Sequence, residues 1–337
     1  MDIIIIKYLN TFPTIVLALI IAGMLYILSK GADILVDEAV GLSVQWGIPK
    51  MIIGATIVSL GTTLPEVAVS VFAALKGNPD LALGNAIGSI IADTGLIIGI
   101  AAIIGKLPVD KMTIDRQGKV QILAGILLSV VCMPFFLKEG KKVGIIPQWM
   151  GWIFLALLVL YIYISLKWAK GSKSEDEEAS ETQKTAILQI LKMFLGIVLV
   201  IGSSKVLIPS VEITAIRIGI PQSIIAATLI AFGTSLPELI TAITSVRKGH
   251  GELAVGNIIG ADILNVLFVV GSSASVTRGG LLVPQNFYKI QIPAMLIILM
   301  CFRYFCKNKG GDVINKREGL CLTCIYGVYV LLSYVWI

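Results

Sequence analysis

Apolar runs of about 20 residues recur along the whole chain, and short polar stretches between them carry most of its lysine and arginine. A helix of about 20 residues rises about 30 Å, the thickness of the hydrocarbon core of a bilayer. Such runs fall near residues 12–40, 50–75, 81–105, 118–137, 148–168, 186–210, 221–246, 252–275, 284–306 and 319–337. Lipid offers no partner to a backbone N–H or C=O, so each run is expected to be helical. The pattern predicts an all-α membrane protein of about ten transmembrane helices.

Composition agrees. Of 337 residues, 56% are hydrophobic and 14% charged, against about 25% charged in a soluble domain. The net charge of +6 is therefore a membrane-orientation signal, not a nucleic-acid one. With the N-terminus outside, Lys106, Lys111, Arg116, Lys119, Lys167, Lys170, Lys173, Lys184, Arg247, Lys248, Arg303, Lys307, Lys309, Lys316 and Arg317 fall in cytoplasmic loops. The outer loops hold fewer, among them Lys138, Lys141, Lys142 and Arg278. The expectation is a multi-pass plasma-membrane protein with both termini outside. The opening MDIIIIKYLN has no basic start and no small-residue cleavage site, which reads as a first membrane helix, not a removable signal. Five cysteines, an odd number, argue against a disulfide framework, and Cys321 and Cys324 read as small residues within the last apolar run.

One stretch, residues 171–184, is strongly polar and reads as a solvated connector. It divides the chain into an N-terminal half, 1–168, a cytoplasmic linker, 169–185, and a C-terminal half, 186–337. The halves are related. Residues 47–99 align without a gap on 219–271 at a constant offset of 172, with 22 of 53 positions identical. The shared stretches include Gly-Thr-Thr-Leu-Pro-Glu (61–66) with Gly-Thr-Ser-Leu-Pro-Glu (233–238), and Gly-Asn-Ala-Ile-Gly (84–88) with Gly-Asn-Ile-Ile-Gly (256–260). Five spans per half would insert the second half with the opposite sense. The result is two inverted five-helix repeats, an arrangement typical of secondary transporters with a binding site near mid-bilayer.

Ser59, Thr62, Thr63 and Glu66 stand three and four residues apart, on one helical face, and Ala231, Thr234, Ser235 and Glu238 hold the matching positions. An ionised carboxylate at mid-membrane costs at least ~2.5 kcal/mol without a partner. No lysine or arginine lies within 51–75 or 222–246 to supply one. A bound cation is the natural partner. A protonated structural glutamate is the alternative, and its duplication in register argues against it. Pro65 and Pro237 precede the glutamates, disrupt the bonds to the carbonyls of Gly61 and Gly233, and predict broken helices two and seven. Asp93 lies four residues after Ser89; Asn265 and Ala261 are their counterparts. Asn85 and Asn257 are expected to hold the broken helices by hydrogen bonds, and Asp262, opposite Ile90 in the first repeat, is a candidate neighbour of the site. The donor set is all oxygen, which suits calcium; soft metals would recruit Cys or His, and the lone His250 lies in a loop. An emptied site would strand its carboxylates in a low dielectric, which favours exchange over uniport.

At these residues the sequence resembles the calcium/cation antiporter superfamily, most closely the Na+/Ca2+ exchanger family in its short prokaryotic form. The two Gly-Thr-Thr/Ser-Leu-Pro-Glu stretches and the two Gly-Asn-x-Ile-Gly stretches match that family's alpha repeats. The resemblance implies a transporter exchanging Ca2+ for Na+, with calcium held by Thr62, Glu66, Thr234 and Glu238. It implies sodium ligation by Ser59, Thr63, Ser89, Ala231 and Ser235, and a central position at Asp93 and Asn265. It also implies helices one and six sliding as gates, with Lys30, Asp33, Asp37 and Glu38 as a polar stripe on the first. The chain departs from the family twice. Asp93 and Asn265 are swapped relative to the usual Asn and Asp, and Ala261 stands where a serine is expected. Proton/calcium exchange and a potassium-dependent variant are the rivals. A channel would need repeated subunits around an axis, whereas these repeats lie within one chain. No nucleophile–base pair or zinc motif suggests an enzyme. The partners implied are inorganic cations and the lipid bilayer.

Overall fold

Helices carry the fold, and the sequence sets where most of them start and stop. The computed structural model describes residues 2–133, 137–138, 141–171, 186–219, 233–307 and 313–335. A short α1 (Asp2–Leu9) precedes α2 (Thr14–Trp46), which Gly47 ends in a left-handed turn at φ 60°. α3 (Lys50–Thr62) and α4 (Leu64–Leu75) form one span bent by 44°. Asn78 opens α5 (Pro79–Ile104) by accepting from the Leu81 N–H, and Asp110 opens α6 (Lys111–Cys132) by accepting from that of Thr113. α7 (Gln148–Gly171), α8 (Ala186–Arg217), α9 (Leu236–Arg247), α10 (Gly251–Val276), α11 (Phe287–Lys307) and α12 (Lys316–Val335) follow.

Among the described residues six helices are long and apolar enough to cross a membrane, or seven with α3 and α4 taken as one bent span. The expected runs 118–137 and 319–337 coincide with α6 and α12, of 22 and 20 residues. The start of run 221–246 lies outside the described residues. The opening residues, read above as a first membrane helix, form the eight-residue α1. It breaks off before Pro13, and Arg217 at the end of α8 donates to the carbonyls of Phe12 and Asn10 at 2.6 and 2.8 Å.

The offset of 172 reappears in the structure. Added to the bounds of α4 and α5, it returns those of α9 and α10. Both α5 and α10 also widen into a π turn at the same place, Asp93–Ile97 and Asn265–Val270. Short strands repeat the correspondence. β1 (Leu107–Pro108) follows α5 and pairs antiparallel with β5 (Val313–Ile314), while β4 (Leu281–Leu282) follows α10 and pairs antiparallel with β3 (Lys141–Ile146). Leu107 faces Ile314 as Leu281 faces Ile146. β2 (Leu137–Lys138) extends the β3 side.

Burial sorts the helices into a centre and a periphery. The apolar windows of α10 and α5 are 94% and 78% buried, those of α2 and α8 only 22% and 33%. α10 therefore forms the axis on which α3 packs. Gly54, Gly256 and Gly260 make that crossing close: a Cβ on Gly256 would overlap the Met51 carbonyl, and one on Gly260 would stand 2.5 Å from the Ala55 carbonyl. α2 and α8 cross separately at Gly31 and Gly196, where a Cβ on Gly196 would stand 2.9 Å from the Gly31 carbonyl.

The polar stripe on α2 ties this outer pair to its neighbours. Lys248, in the loop after α9, reaches Asp37 at 2.8 Å and Asp33 at 3.2 Å, and Lys192 of α8 reaches Glu38 at 3.6 Å. Partial burial pulls the Lys248 ammonium down, but Asp37 and Asp33 hold it above its ordinary value.

Gly256→Ala should destabilise the fold by about 1–3 kcal/mol, because the backbone of α3 must move to admit the methyl. Gly202→Ala, where nothing among the described residues lies within 4 Å, should be neutral or mildly stabilising. Thermal unfolding of the two purified variants checks this; equal midpoints would show that α3 and α10 are not held in close contact.

Candidate functional site

Two half-helices start in the middle of the molecule, and each carries a glutamate in its first turn. Pro65 and Pro237 occupy the opening positions of α4 and α9, where a missing N–H removes no helical bond. The residue before each helix takes nearly the same bent backbone, Thr63 at φ −79°, ψ −4° and Ser235 at φ −84°, ψ 9°. Glu66 and Glu238 follow in the first turns, where the positive end of the helix dipole favours a carboxylate. Both are 1% exposed.

Of the expected site residues, Thr62, Thr63, Thr234 and Asp93 come close to the two glutamates, and the others lie on the surrounding elements. Ser59 and Thr62 close α3, Thr63 sits at the bend, Ser89 and Asp93 lie on α5, Thr234 and Ser235 precede α9, and Asn265 lies on α10. All are buried except Thr234, which is half-buried. Ala231 lies outside the described residues. Glu66 is within electrostatic reach of Glu238 and Asp93, and Asp93 within reach of Glu238 and Asp262. The Thr234 hydroxyl lies beside the Glu66 carboxylate, and those of Thr62 and Thr63 beside that of Glu238.

A crossed framework holds the two half-sites to each other. Thr62 donates to Asn257 Oδ1 at 3.4 Å, and its counterpart Thr234 donates to Asn85 Oδ1 at 3.0 Å. Asn85 Nδ2 donates to the Glu66 carbonyl at 3.2 Å and to Ser70 Oγ at 2.9 Å. Asn85 thereby clamps the first turn of α4. The framework is weaker on the other side. Ala242 replaces Ser70 there, and Asn257 Nδ2 has no partner among the described residues. Ser235 donates to Ser89 Oγ at 3.3 Å, but the matching pair is Thr63 with Ala261, and the buried Thr63 hydroxyl makes no well-formed hydrogen bond among the described residues.

The acceptor atoms are more telling than the bonds. Among the described residues both carboxylate oxygens of Glu66, one each of Glu238 and Asp93, and Asn265 Oδ1 are buried without a well-formed hydrogen bond. Nine in ten buried polar groups are ordinarily satisfied, so a cluster of orphan acceptors marks a place for a positively charged ligand. No three His, Cys, Asp or Glu side chains converge tightly enough among the described residues to cage a metal alone. An ion here must also draw on hydroxyl, amide and backbone oxygens, the donor set of a hard cation.

Two parts of the surroundings were not anticipated from sequence. The π turns that begin at Asp93 and Asn265 interrupt the regular helix at the site. Tyr161 of α7 donates at 2.9 Å to the Ala55 carbonyl, in a third π turn at Gly54–Val58. Gln121 and Thr94 bond Asp262, and the signal for the first was a pair of glutamines, Gln117 and Gln121, four apart inside an apolar helix.

Comparison with known proteins gives a consistent result. The family model described as "Sodium/calcium exchanger protein" matches residues 16–167 and 188–335. The inner membrane protein YrbG of Escherichia coli (strain K12) is 33% identical over 94% of this chain and 96% of its own length. The sodium/calcium exchanger MaX1 of Methanosarcina acetivorans is 25% identical over 96% and 99%. Among solved structures, the sodium-calcium exchanger NCX_Mj soaked with 10 mM Na+ and zero Ca2+ superposes with a TM-score of 0.77 at 25% identity, covering 95% of this chain and 99% of its own.

Asn85→Ala removes three hydrogen bonds and Asn257→Ala one. At about 1 kcal/mol net for each bond, the first should lower stability by roughly 2 kcal/mol more than the second. Paired thermal unfolding curves test the order, and a reversal would remove the clamp assigned to Asn85.

Proposed function

The chain belongs to the sodium/calcium exchanger protein family, and from that premise we propose that it exchanges Ca2+ for Na+ across a membrane by alternating access. The observation that carries the reading is the pair of buried glutamates in matching first turns, three of whose four carboxylate oxygens make no well-formed hydrogen bond among the described residues. The family's cation/calcium antiport agrees with an all-oxygen donor set. Its relatives are described as exchangers and membrane proteins, not enzymes.

In the proposed mechanism Glu66 and Glu238 neutralise one Ca2+, and the hydroxyls of Thr62 and Thr234 with freed backbone carbonyls complete its shell. Sodium ions occupy the same oxygen cluster through Ser59, Thr63, Ser89, Ala231 and Ser235, with Asp93 and Asn265 at the centre. The two ions compete because they share carboxylates. A closed site with neither leaves several charges uncompensated at a penalty of several kcal/mol, which blocks return without cargo. The halves 1–168 and 186–337 are read as inverted repeats of five spans each, joined by a cytoplasmic linker at 169–185. The matched helix bounds and the symmetric strand pairs support this. The shallowly buried α2 and α8 are read as the sliding gate, with both termini outside.

Purified protein in sodium-loaded liposomes, with pH clamped on both sides, should accumulate radioactive calcium when sodium is diluted outside. Calcium uptake that follows a pH gradient and ignores sodium would make the proton the coupling ion. Glu66→Gln and Glu238→Gln each remove one of two charges facing the divalent ion, and calcium binding should weaken by at least about 100-fold, on the order of 3 kcal/mol. Near-normal uptake in both variants would reject the site. Ala261→Ser returns the hydroxyl missing beside Thr63 and should strengthen sodium inhibition of calcium binding; an unchanged inhibition curve would show that this position holds no sodium.

A further inference from the structure

A second buried polar cluster lies beyond Asp93, away from the glutamates. Asp262 of α10 is 2% exposed. Its Oδ2 accepts from Gln121 Nε2 of α6 at 2.6 Å and from the Thr94 hydroxyl of α5. Its Oδ1 accepts nothing among the described residues, and neither do the equally buried Gln121 Oε1 and Asp93 Oδ1. Three helices thus bring together orphan acceptors that a purely structural cluster would have satisfied.

The cluster stands outside the repeat framework. Ile90 occupies the position of Asp262 in the first repeat, and Val266 that of Thr94 in the second. It also stands next to the residue that lacks a ligand, since Ala261 precedes Asp262. Among the described residues the groups acting on Asp93 and Asp262 include no lysine, arginine or histidine. Among the described residues, then, no basic side chain balances these two carboxylates.

We propose that Asp262, Gln121, Thr94 and Asp93 form a separate cation site between α5, α6 and α10, and that it takes one Na+. Four protein oxygens are fewer than the six to eight that calcium prefers. Asp93 is shared with Glu238, so Asp262 is the one carboxylate belonging to this site alone, and a single positive charge matches it. Gln121 fixes the carboxylate through its amide N–H and offers its own carbonyl to the ion.

The inference rests on the sodium/calcium exchange reading, and equilibrium binding separates the two. Radioactive calcium bound to the purified full-length protein is displaced with sodium chloride, with choline chloride holding ionic strength constant. Wild type, Asp262→Asn and Thr94→Val are compared. Loss of the Asp262 charge should raise the sodium concentration for half-displacement by about tenfold, and loss of the Thr94 hydroxyl by about threefold, the effect of a charged and a neutral ligand respectively. The Hill coefficient for sodium should fall by about one in Asp262→Asn, and the shift in calcium affinity should be smaller than the shift for sodium. A sodium-sensitive wild type with an unaltered Asp262→Asn curve overturns this inference alone. A wild type that sodium does not displace overturns the sodium coupling as well. Where Asp262→Asn fails to remain monodisperse, Thr94→Val decides by the same criterion.

Discussion

A carboxylate buried in a low dielectric, with no basic side chain beside it, requires a positive charge from somewhere else. Glu66 and Glu238 meet that description, and the architecture around them is organised to keep them there. Water would relieve the need, so the glutamates sit beside the most deeply buried helices, α5 and α10. A lysine would relieve it permanently, and none lies in either repeat core. What remains is a charge that can be lent and withdrawn, which is the property a transported cation has.

The bend at Thr63 and its counterpart at Ser235 convert this requirement into geometry. A continuous helix would satisfy its own backbone and point its glutamate at one neighbour. A helix that restarts at mid-molecule exposes carbonyls on one side of the bend and places a carboxylate at the positive end of the new segment. The crossed bonds Thr62 to Asn257 and Thr234 to Asn85 then lock each bent segment to the opposite repeat. Neither half-site is complete without the other. The close crossing at Gly54, Gly256 and Gly260 is a consequence, because only small residues bring α3 near enough for that exchange of bonds.

Much of this was legible before the structure. The Pro65–Glu66 step announced an interrupted helix, the offset of 172 announced the matched helix bounds, and the Pro–Glu pairs announced two glutamates in first turns. Other features were hidden for physical reasons. A π turn arises from packing around Asp93 and Asn265 and leaves no periodic trace in a uniformly apolar segment. The short strands are two-residue meetings of distant loops, below the length at which alternation can be read. Gln121 lies outside the aligned segments 47–99 and 219–271, so no internal comparison pointed to it. The span count was harder to fix, because α6 begins with four charges in its first nine residues.

The departures from symmetry carry the most information about this chain. Perfect duplication would place equal demands on both half-sites, yet Ser70 faces Ala242, Ser89 faces Ala261 and Ile90 faces Asp262 across the repeats. Each pair removes or adds an oxygen on one side only. Among the described residues the Thr63 hydroxyl and Asn257 Nδ2 make no well-formed hydrogen bond, on the side where Asp262 contributes a carboxylate. A hydroxyl ligates a hard cation through its dipole, whereas a carboxylate also brings a full charge, so the exchange of one for the other is not neutral. It raises the number of buried acids at and beside the site from three to four, and Asp262 needs a counter-charge of its own. A framework built for two equal halves thereby holds two buried acids in each, Glu66 and Asp93 against Glu238 and Asp262, at positions that do not fully correspond.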